Sequence, residues 1–421
     1  MKTLFKDALI LDYKTNSLIS GSVEVTGDKI SRVGKFEADS NYDKVIDCVG
    51  KVLMPGFVNT HCHTPMTILR SIDDDAPLDK WLFDSVLPRE ALLTPDDVYW
   101  GEYLGIMESV STGITAIEEG YFHNDMISKV LDRSGMRGRI GIGPAMRKLD
   151  ISNVEYLEKC ALDVHNTRLI KTSCFIHSIY TTSKEAIEES IEFSIKHNIP
   201  LSIHLSETKK EIEDSLKANN MTPTKYLDSL GFFDRDTLCY HCVHLSDDDI
   251  EILRKHKSNI ATCPSSNLKL GSGVAPIYKM HKCGINISIG TDGVASNNNL
   301  DMFKEMYLVA NLGKIAYPNE TPLPAIEILK MATINGANAL GLNSGEIVEG
   351  KNADIILIDI DKPHYYPTSN LISHLIYSGK SSDVILTMIG GKIVYEGGKY
   401  NIGEDPGTIY KKVNEIRERL S

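Results

Sequence analysis

The chain has 421 residues, 42% of them hydrophobic and 24% charged, with a formal net charge of −12; this is an ordinary globular composition, too long for one small core. The acidic balance excludes a surface built to neutralise nucleic-acid phosphates, and no apolar window approaches a membrane span. The eight cysteines are scattered, mostly within apolar runs, the pattern of reduced thiols in a cytoplasmic protein.

In chain order, the opening Met1-Lys2-Thr3-Leu4-Phe5-Lys6-Asp7 lacks the apolar region of a signal peptide. Short strand patterns follow at residues 8–11, 22–25, 29–33 and 45–48, punctuated by Gly27-Asp28 and Gly50-Lys51, and helical periodicity is absent, which predicts a small β module. From Pro55-Gly56-Phe57-Val58-Asn59-Thr60-His61-Cys62-His63-Thr64 onward, strands alternate with helices. Thr94-Pro95 is an N-cap followed by proline at the first helical position, opening a helix through Trp100, Tyr103, Leu104, Met107 and Val110. Strand-like runs recur at 114–117, 139–142, 170–175, 201–203, 237–240, 259–262 and 285–289, with amphipathic stretches such as 184–197 and 247–256 between them. About eight strand–helix units result, the number of a (β/α)8 barrel. An open doubly wound sheet would leave its first and last strands apart. A helix is predicted near 324–340, β patterns return at 353–359, 384–389 and 392–395, and residues 406–420 read as a surface helix. The predicted fold is α/β: a TIM-like barrel over 58–345, a small β-sandwich domain built from both chain ends (1–57 plus 346–405), and a C-terminal helix over 406–421.

His61 and His63 are two apart on one strand, and residues i and i+2 of a strand face the same side. Two imidazoles, common ligands of a borderline metal such as Zn²⁺, therefore aim at one point. Three later strand ends add comparable groups: His204 and Glu207 in 200–208, His241 and His244 in 238–244, and Asp292 at the end of 284–293. The C-terminal ends of barrel strands converge on one mouth, which would bring His61, His63, His204, His241 and Asp292 together. Cys239-Tyr240-His241-Cys242 has no second C-x-x-C to complete a structural zinc site. Glu207 also stands where a carboxylate beside Thr208 would cap a helix over 209–217, and His244 reads as a packed histidine.

With Pro264-Ser265-Ser266-Asn267-Leu268-Lys269-Leu270 and Gly290-Thr291-Asp292-Gly293 added to these motifs, the chain resembles the amidohydrolase superfamily over nearly its whole length. The nearest branch is the 5-methylthioadenosine/S-adenosylhomocysteine deaminases and their chlorohydrolase relatives. The resemblance implies that His61, His63, His204 and Asp292 bind one divalent metal, Zn²⁺ with Fe²⁺ as the alternative. It implies that Glu207 shuttles protons and that His241 hydrogen-bonds the water on the metal. No strand-end lysine stands where dinuclear members carry a carbamylated bridge. Zn²⁺ in such a shell lowers the pKa of its water towards about 7. With Asp292 accepting the water's proton and Glu207 protonating a ring nitrogen, the set suits attack on an amidine-like carbon and loss of ammonia.

The resemblance also implies a nucleoside pocket lined by Trp81, Glu90 and His177, with His204 facing both metal and substrate. Ile142 stands where the branch carries an arginine for the homocysteine carboxylate, Arg147 being the nearest replacement, and Thr262 stands where relatives carry a histidine. These departures leave methylthioadenosine, adenosine, guanine- or pterin-like bases and triazine chlorohydrolysis open beside S-adenosylhomocysteine. A non-catalytic barrel that binds rather than reacts is the remote alternative. A small-molecule partner, a homo-oligomer, and no nucleic-acid or membrane partner are expected.

Overall fold

The structure, a computed structural model, describes residues 1–37, 41–143, 152–319 and 323–420. The chain opens with β1 (Lys2–Asp12), β2 (Ser17–Thr26), β3 (Lys29–Gly34), β4 (Lys44–Asp47) and β5 (Lys51–Pro55). Barrel strands follow: β6 (Phe57–His63), β7 (Ile114–Glu119), β8 (Arg137–Ile142), β9 (Ile170–Ile176), β10 (Leu201–Leu205), β11 (Thr237–His241), β12 (Asn259–Thr262), β13 (Ile287–Ile289) and β14 (Asp292–Gly293). The last strands are β15 (Ile355–Asp359), β16 (Val384–Ile389), β17 (Lys392–Glu396) and β18 (Lys399–Tyr400).

Both chain ends build one mixed sheet in the order β18-β17-β16-β15-β5-β1-β2-β3, with β4 also paired to β1. The sheet folds back on itself, because Lys44 of β4 pairs with Glu396 of β17 at 2.6 Å and Ala353 N donates to Asp28 O at 2.9 Å. Phe5, Val23, Leu53, Ile355, Leu357 and Met388 belong to the core this sandwich encloses.

The second sheet runs β13-β12-β11-β10-β9-β8-β7-β6-β14, and its pairs are parallel. Only Gly290 and Thr291 separate β13 from β14, so β14 on β6 closes the ring and the expected (β/α)8 barrel is present. At the seam, Thr60 Oγ1 donates to Ile289 O at 3.0 Å. A Cβ on Gly290 would lie 2.7 Å from His61 Cβ and 2.9 Å from His61 O, so glycine is what lets the final strand pass this close. The floor of the barrel is plugged by Ala337, Ala339 and Leu340, which meet Val58, Leu238 and Ala261.

Several predicted elements differ in detail. The helix expected near 324–340 is two helices, Ala325–Ala332 and Ile334–Ala339, broken at Thr333 (φ −132°, ψ −91°). There the Thr333 hydroxyl bonds Leu329 O at 2.7 Å and Tyr13 Oη at 2.5 Å, and the local side-chain bonds compete with the helical path. The helix Pro95–Ser111 begins with a full capping box between Thr94 and Asp97. Helix Pro406–Leu420 buries Ile409, Val413, Ile416 and Leu420, the spacing of one helical face. No helix among the described residues is long and apolar enough to cross a membrane.

The sandwich is locked to the barrel by a buried pair: Arg137 Nε to Asp354 Oδ2 at 2.7 Å and Nη2 to Oδ1 at 2.9 Å. Gly390 N also donates to Asp354 Oδ1 at 2.8 Å. Asp354→Ala strands a buried guanidinium, and the expected loss of stability is about 3–5 kcal/mol. Urea unfolding measures it; a loss below about 1 kcal/mol contradicts the lock.

Candidate metal centre and active site

Strand β6 does more than alternate. Its register on β7 passes from Asn59↔Ile117 to Cys62↔Glu119, three steps against two, so one extra residue bulges from β6. A bulge reverses which face later side chains take. Val58 packs inside the barrel, and with the bulge His61 and His63 face inward as well, while Cys62 is turned outward, its Sγ 3.4 Å from Glu119 Oε2.

The second ring nitrogens fix what these histidines present. His63 Nδ1 lies 2.5 Å from Gly120 O and His204 Nδ1 lies 2.7 Å from His177 O. A carbonyl oxygen only accepts, so both Nδ1 atoms carry hydrogens and each neutral ring offers a lone pair at Nε2. Burial holds His63 below the ordinary histidine value, His204 well below it, and His61 down to about 3. Burial works against the Asp292 carboxylate, yet its bond to His61, followed by the charge of His241, holds it well below the usual range.

Neutral nitrogens and a carboxylate thus face each other in a largely buried site. His63 Nε2 is 3.5 Å from Asp292 Oδ1, His61 Nε2 is 3.4 Å from the same oxygen, and His204 Nε2 is 3.2 Å from His61 Nε2. A lone pair aimed at an anionic oxygen is repulsive unless a cation lies between them. The spacings match the edge, about 3.3 Å, of a tetrahedron with Zn–N bonds of about 2.0–2.1 Å. The donors therefore fit a divalent metal. His241 lies close by: the donor atoms of His61, His204 and His241 are within 4.8 Å of one another, as are those of His61, His63 and Asp292.

His241 Nδ1 is 2.8 Å from Asn267 Oδ1, and its Nε2 is 4.0 Å from Glu207 Oε2. Burial disfavours its cation, but the charges of Glu207 and then Asp292 outweigh it and raise its pKa. Burial likewise raises the pKa of Glu207, whose Oε1 accepts from Ser272 Oγ at 3.3 Å. Glu207 does not cap the following helix. Thr208 Oγ1 accepts from Glu211 N at 3.1 Å, while the Glu211 carboxylate takes Ser206 N at 2.9 Å and Glu207 N at 2.8 Å.

The residues expected around a substrate are only partly gathered. Glu90 accepts from Tyr121 Oη at 2.5 Å, and the Tyr121 ring is 6.5 Å from His63. The His177 ring is 4.8 Å from that of His204, its Nδ1 is 2.9 Å from Thr181 Oγ1, and burial lowers its pKa to about 4. Trp81 is buried in the main core, with no hydrogen-bond partner for its indole N–H among the described residues. Ile142 ends β8 fully buried, and Thr262 is buried with no partner for its hydroxyl among the described residues. Arg147 lies outside the described residues.

Supporting residues without an assigned role in the sequence emerge here. Ser266 Oγ donates to Asp292 Oδ2 at 2.5 Å; both Ser266 and Asn267 lie in the 264–270 stretch that carried the resemblance. Tyr240 stacks on His61 at 3.9 Å, and its hydroxyl reaches Glu118 Oε1 at 3.3 Å, while Glu118 pairs with buried Arg139. Nothing in sequence separates Glu118 from other strand carboxylates.

A barrel whose strand ends gather buried histidines and an aspartate around a metal position is the architecture of a metal-dependent hydrolase. The amidohydrolase family model matches residues 52–394. A 5-methylthioadenosine/S-adenosylhomocysteine deaminase of Thermoanaerobacter pseudethanolicus is 41% identical over 405 residues, covering 94% of each chain. A 5′-deoxyadenosine deaminase of Methanosphaera stadtmanae is 40% identical over 413 residues, covering 97% of this chain and 96% of that one. The crystal structure of an adenosine deaminase from Xanthomonas campestris with bound zinc superposes with a TM-score of 0.95 at 30% identity, covering 99% of this chain and 98% of the other. The chain belongs to the amidohydrolase family.

Glu211→Ala leaves the N–H groups of Ser206 and Glu207 without their acceptor, at a cost of about 1–3 kcal/mol each. Chemical denaturation is expected to record about 2–6 kcal/mol in total; a change under about 0.5 kcal/mol contradicts the role given to Glu211.

Proposed function

We infer that this chain is a metal-dependent aminohydrolase that deaminates an aminopurine nucleoside, with methylthioadenosine, 5′-deoxyadenosine and S-adenosylhomocysteine as the nearest candidates. The observation that carries it is the facing of neutral His63 Nε2 and Asp292 Oδ1 at 3.5 Å, in a site whose nearest acid, Glu207, is buried with a raised pKa. The relatives named as deaminases support the reaction class and the adenosine-type substrate. Buried, uncharged Ile142 in place of the branch's arginine favours a substrate with an uncharged 5′ group. Zinc in the Xanthomonas campestris structure supports Zn²⁺ over Fe²⁺.

His61, His63, His204 and Asp292 would hold the metal, which when bound supplies a Lewis acid that makes water a nucleophile near neutral pH. Asp292, its Oδ2 held by Ser266, takes one proton from the attacking water. His241, its Nδ1 held by Asn267, directs that water from Nε2. Glu207, its pKa raised by burial, donates a proton to the ring nitrogen beside the carbon attacked. Return of that proton from Asp292 to the exocyclic nitrogen lets ammonia leave as the C–N bond breaks; the hydroxyl's remaining proton goes back to Glu207, and the ring carbon keeps the oxygen as a carbonyl. Trp81, Glu90 and His177 belong to the nucleoside side of the same reading, and Glu90 is the group suited to ribose hydroxyls.

The sheet memberships support a barrel over 58–345 and a sandwich of 1–57 plus 346–405. A small-molecule partner, a homo-oligomer without nucleic acid and a cytoplasmic location complete the proposal; the net charge of −12 supports the exclusion of nucleic acid.

Ammonia release by zinc-loaded protein, across methylthioadenosine, 5′-deoxyadenosine, S-adenosylhomocysteine, adenosine, guanine and a pterin, tests the substrate class. Turnover is expected on the adenosine compounds; silence on all of them with turnover of a free base contradicts the nucleoside reading. Glu207→Gln is expected to keep its metal and lose about 10²–10⁴-fold in kcat, and undiminished turnover would remove Glu207 from the proton path.

A further inference from the structure

Tyr121 connects the metal cluster to the carboxylate assigned to ribose. Its backbone follows Gly120, whose carbonyl takes His63 Nδ1 at 2.5 Å, and its ring stacks on Phe122 at 4.2 Å and lies 6.5 Å from the ring of His63. From this anchored position its hydroxyl donates to Glu90 Oε1 at 2.5 Å, the length of a charge-assisted O–H···O⁻ bond. Glu90 ends the short helix Leu87–Glu90, in the connection between β6 and β7 rather than on a barrel strand. A glutamate there has rotamer freedom to lose, and a phenol with few rotatable bonds restrains it at small entropic cost. Both residues are only half-buried, so a ligand in the mouth can reach them. A carboxylate offers about four lone-pair sites, and the phenol hydroxyl occupies one of those on Glu90.

We propose that Tyr121 is a positioning residue that, through its hydroxyl, fixes Glu90 to accept the 2′- and 3′-hydroxyls of a nucleoside at a set distance from the metal cluster. This rests on the nucleoside reading above and adds its means of selection. Tyr121, with its ring 6.5 Å from that of His63 and its hydroxyl on Glu90, ties the carboxylate to the side of the barrel mouth that carries the His63–Asp292 pair. Ribonucleosides are selected over analogues without the diol.

The test is Tyr121→Phe in the full, zinc-loaded chain, which keeps the ring and its stacking. KM and kcat are measured on adenosine and on 2′,3′-dideoxyadenosine, together with metal content. KM for adenosine is expected to rise about tenfold, the worth of a hydrogen bond to a charged group. Metal content and kcat are expected to stay within about twofold of the wild type, and KM for the dideoxy analogue to be unchanged, because the bond serves uniform binding of the diol. An unchanged KM for adenosine, an equal rise on both substrates, or loss of metal overturns the proposal. Wild-type protein silent on every nucleoside would overturn the nucleoside reading itself; active wild-type protein indistinguishable from Tyr121→Phe would overturn the role of Tyr121 alone.

Discussion

The structure depends on one opposition: a neutral imidazole nitrogen of His63 held 3.5 Å from a carboxylate oxygen of Asp292. Two electron-rich atoms are brought together against their mutual repulsion, and only a frame stiffer than that repulsion can do so. The barrel is this frame. Its first strand carries a bulge that turns both histidines inward, and its last strand is broken at Gly290-Thr291 so that Asp292 returns to β6, pairing with Cys62 between the two histidines. The closed ring leaves neither strand free to relax outward.

The loops at the mouth are held by a recurring device. Glu119 accepts from Thr64 N at 2.8 Å, Glu211 from Ser206 N at 2.9 Å and Glu207 N at 2.8 Å, and Glu305 from Ser265 N at 3.0 Å. Each buried carboxylate thus grips backbone next to a functional side chain, just after His63, at Glu207 itself, and just before Ser266. Burial is the first cause of their raised pKa values, about 8 for Glu119 and about 7 for Glu211 and Glu305. Charged groups in such places are costly unless hydrogen-bonded, and the backbone donors offset that cost while fixing the turns. The turns need fixing: Ser206 (φ 51°), His241 (φ 66°) and Asp292 (φ 61°) all adopt left-handed backbone without being glycine, a conformation that costs about 1–2 kcal/mol per residue. Strain of this kind persists where surrounding bonds over-determine it.

Much of this was legible in the sequence, for physical reasons. Barrel strands read as short runs in which apolar residues recur between turn signals, so Ile170–Ile176 and Leu201–Leu205 stand out, and helices with caps such as Thr94 announce their own ends. Histidines and an aspartate at strand ends are readable because barrel topology alone decides that strand ends meet. The bulge in β6 was not legible, since Asn59-Thr60-His61 carries no glycine or proline to mark it, and the i, i+2 rule alone does not say that His61 shares an interior with Val58. The roles of Glu119, Glu211 and Glu305 were hidden for a related reason: a buried acceptor of backbone N–H groups looks, in one sequence, like any helix or strand glutamate. Glu207 was ambiguous between cap and acid in the sequence, because only the fold shows Thr208 capping the helix and Glu211 taking the N–H groups of Ser206 and Glu207.

The most direct test of the metal centre is the metal content of the purified chain, measured in the same samples as ammonia release from methylthioadenosine, before chelation, after it, and after zinc is returned. The geometry predicts one metal ion per chain, with metal and turnover lost together and restored together. Undiminished turnover by metal-free protein would contradict the reading of His61, His63, His204 and Asp292 as the centre of the chemistry.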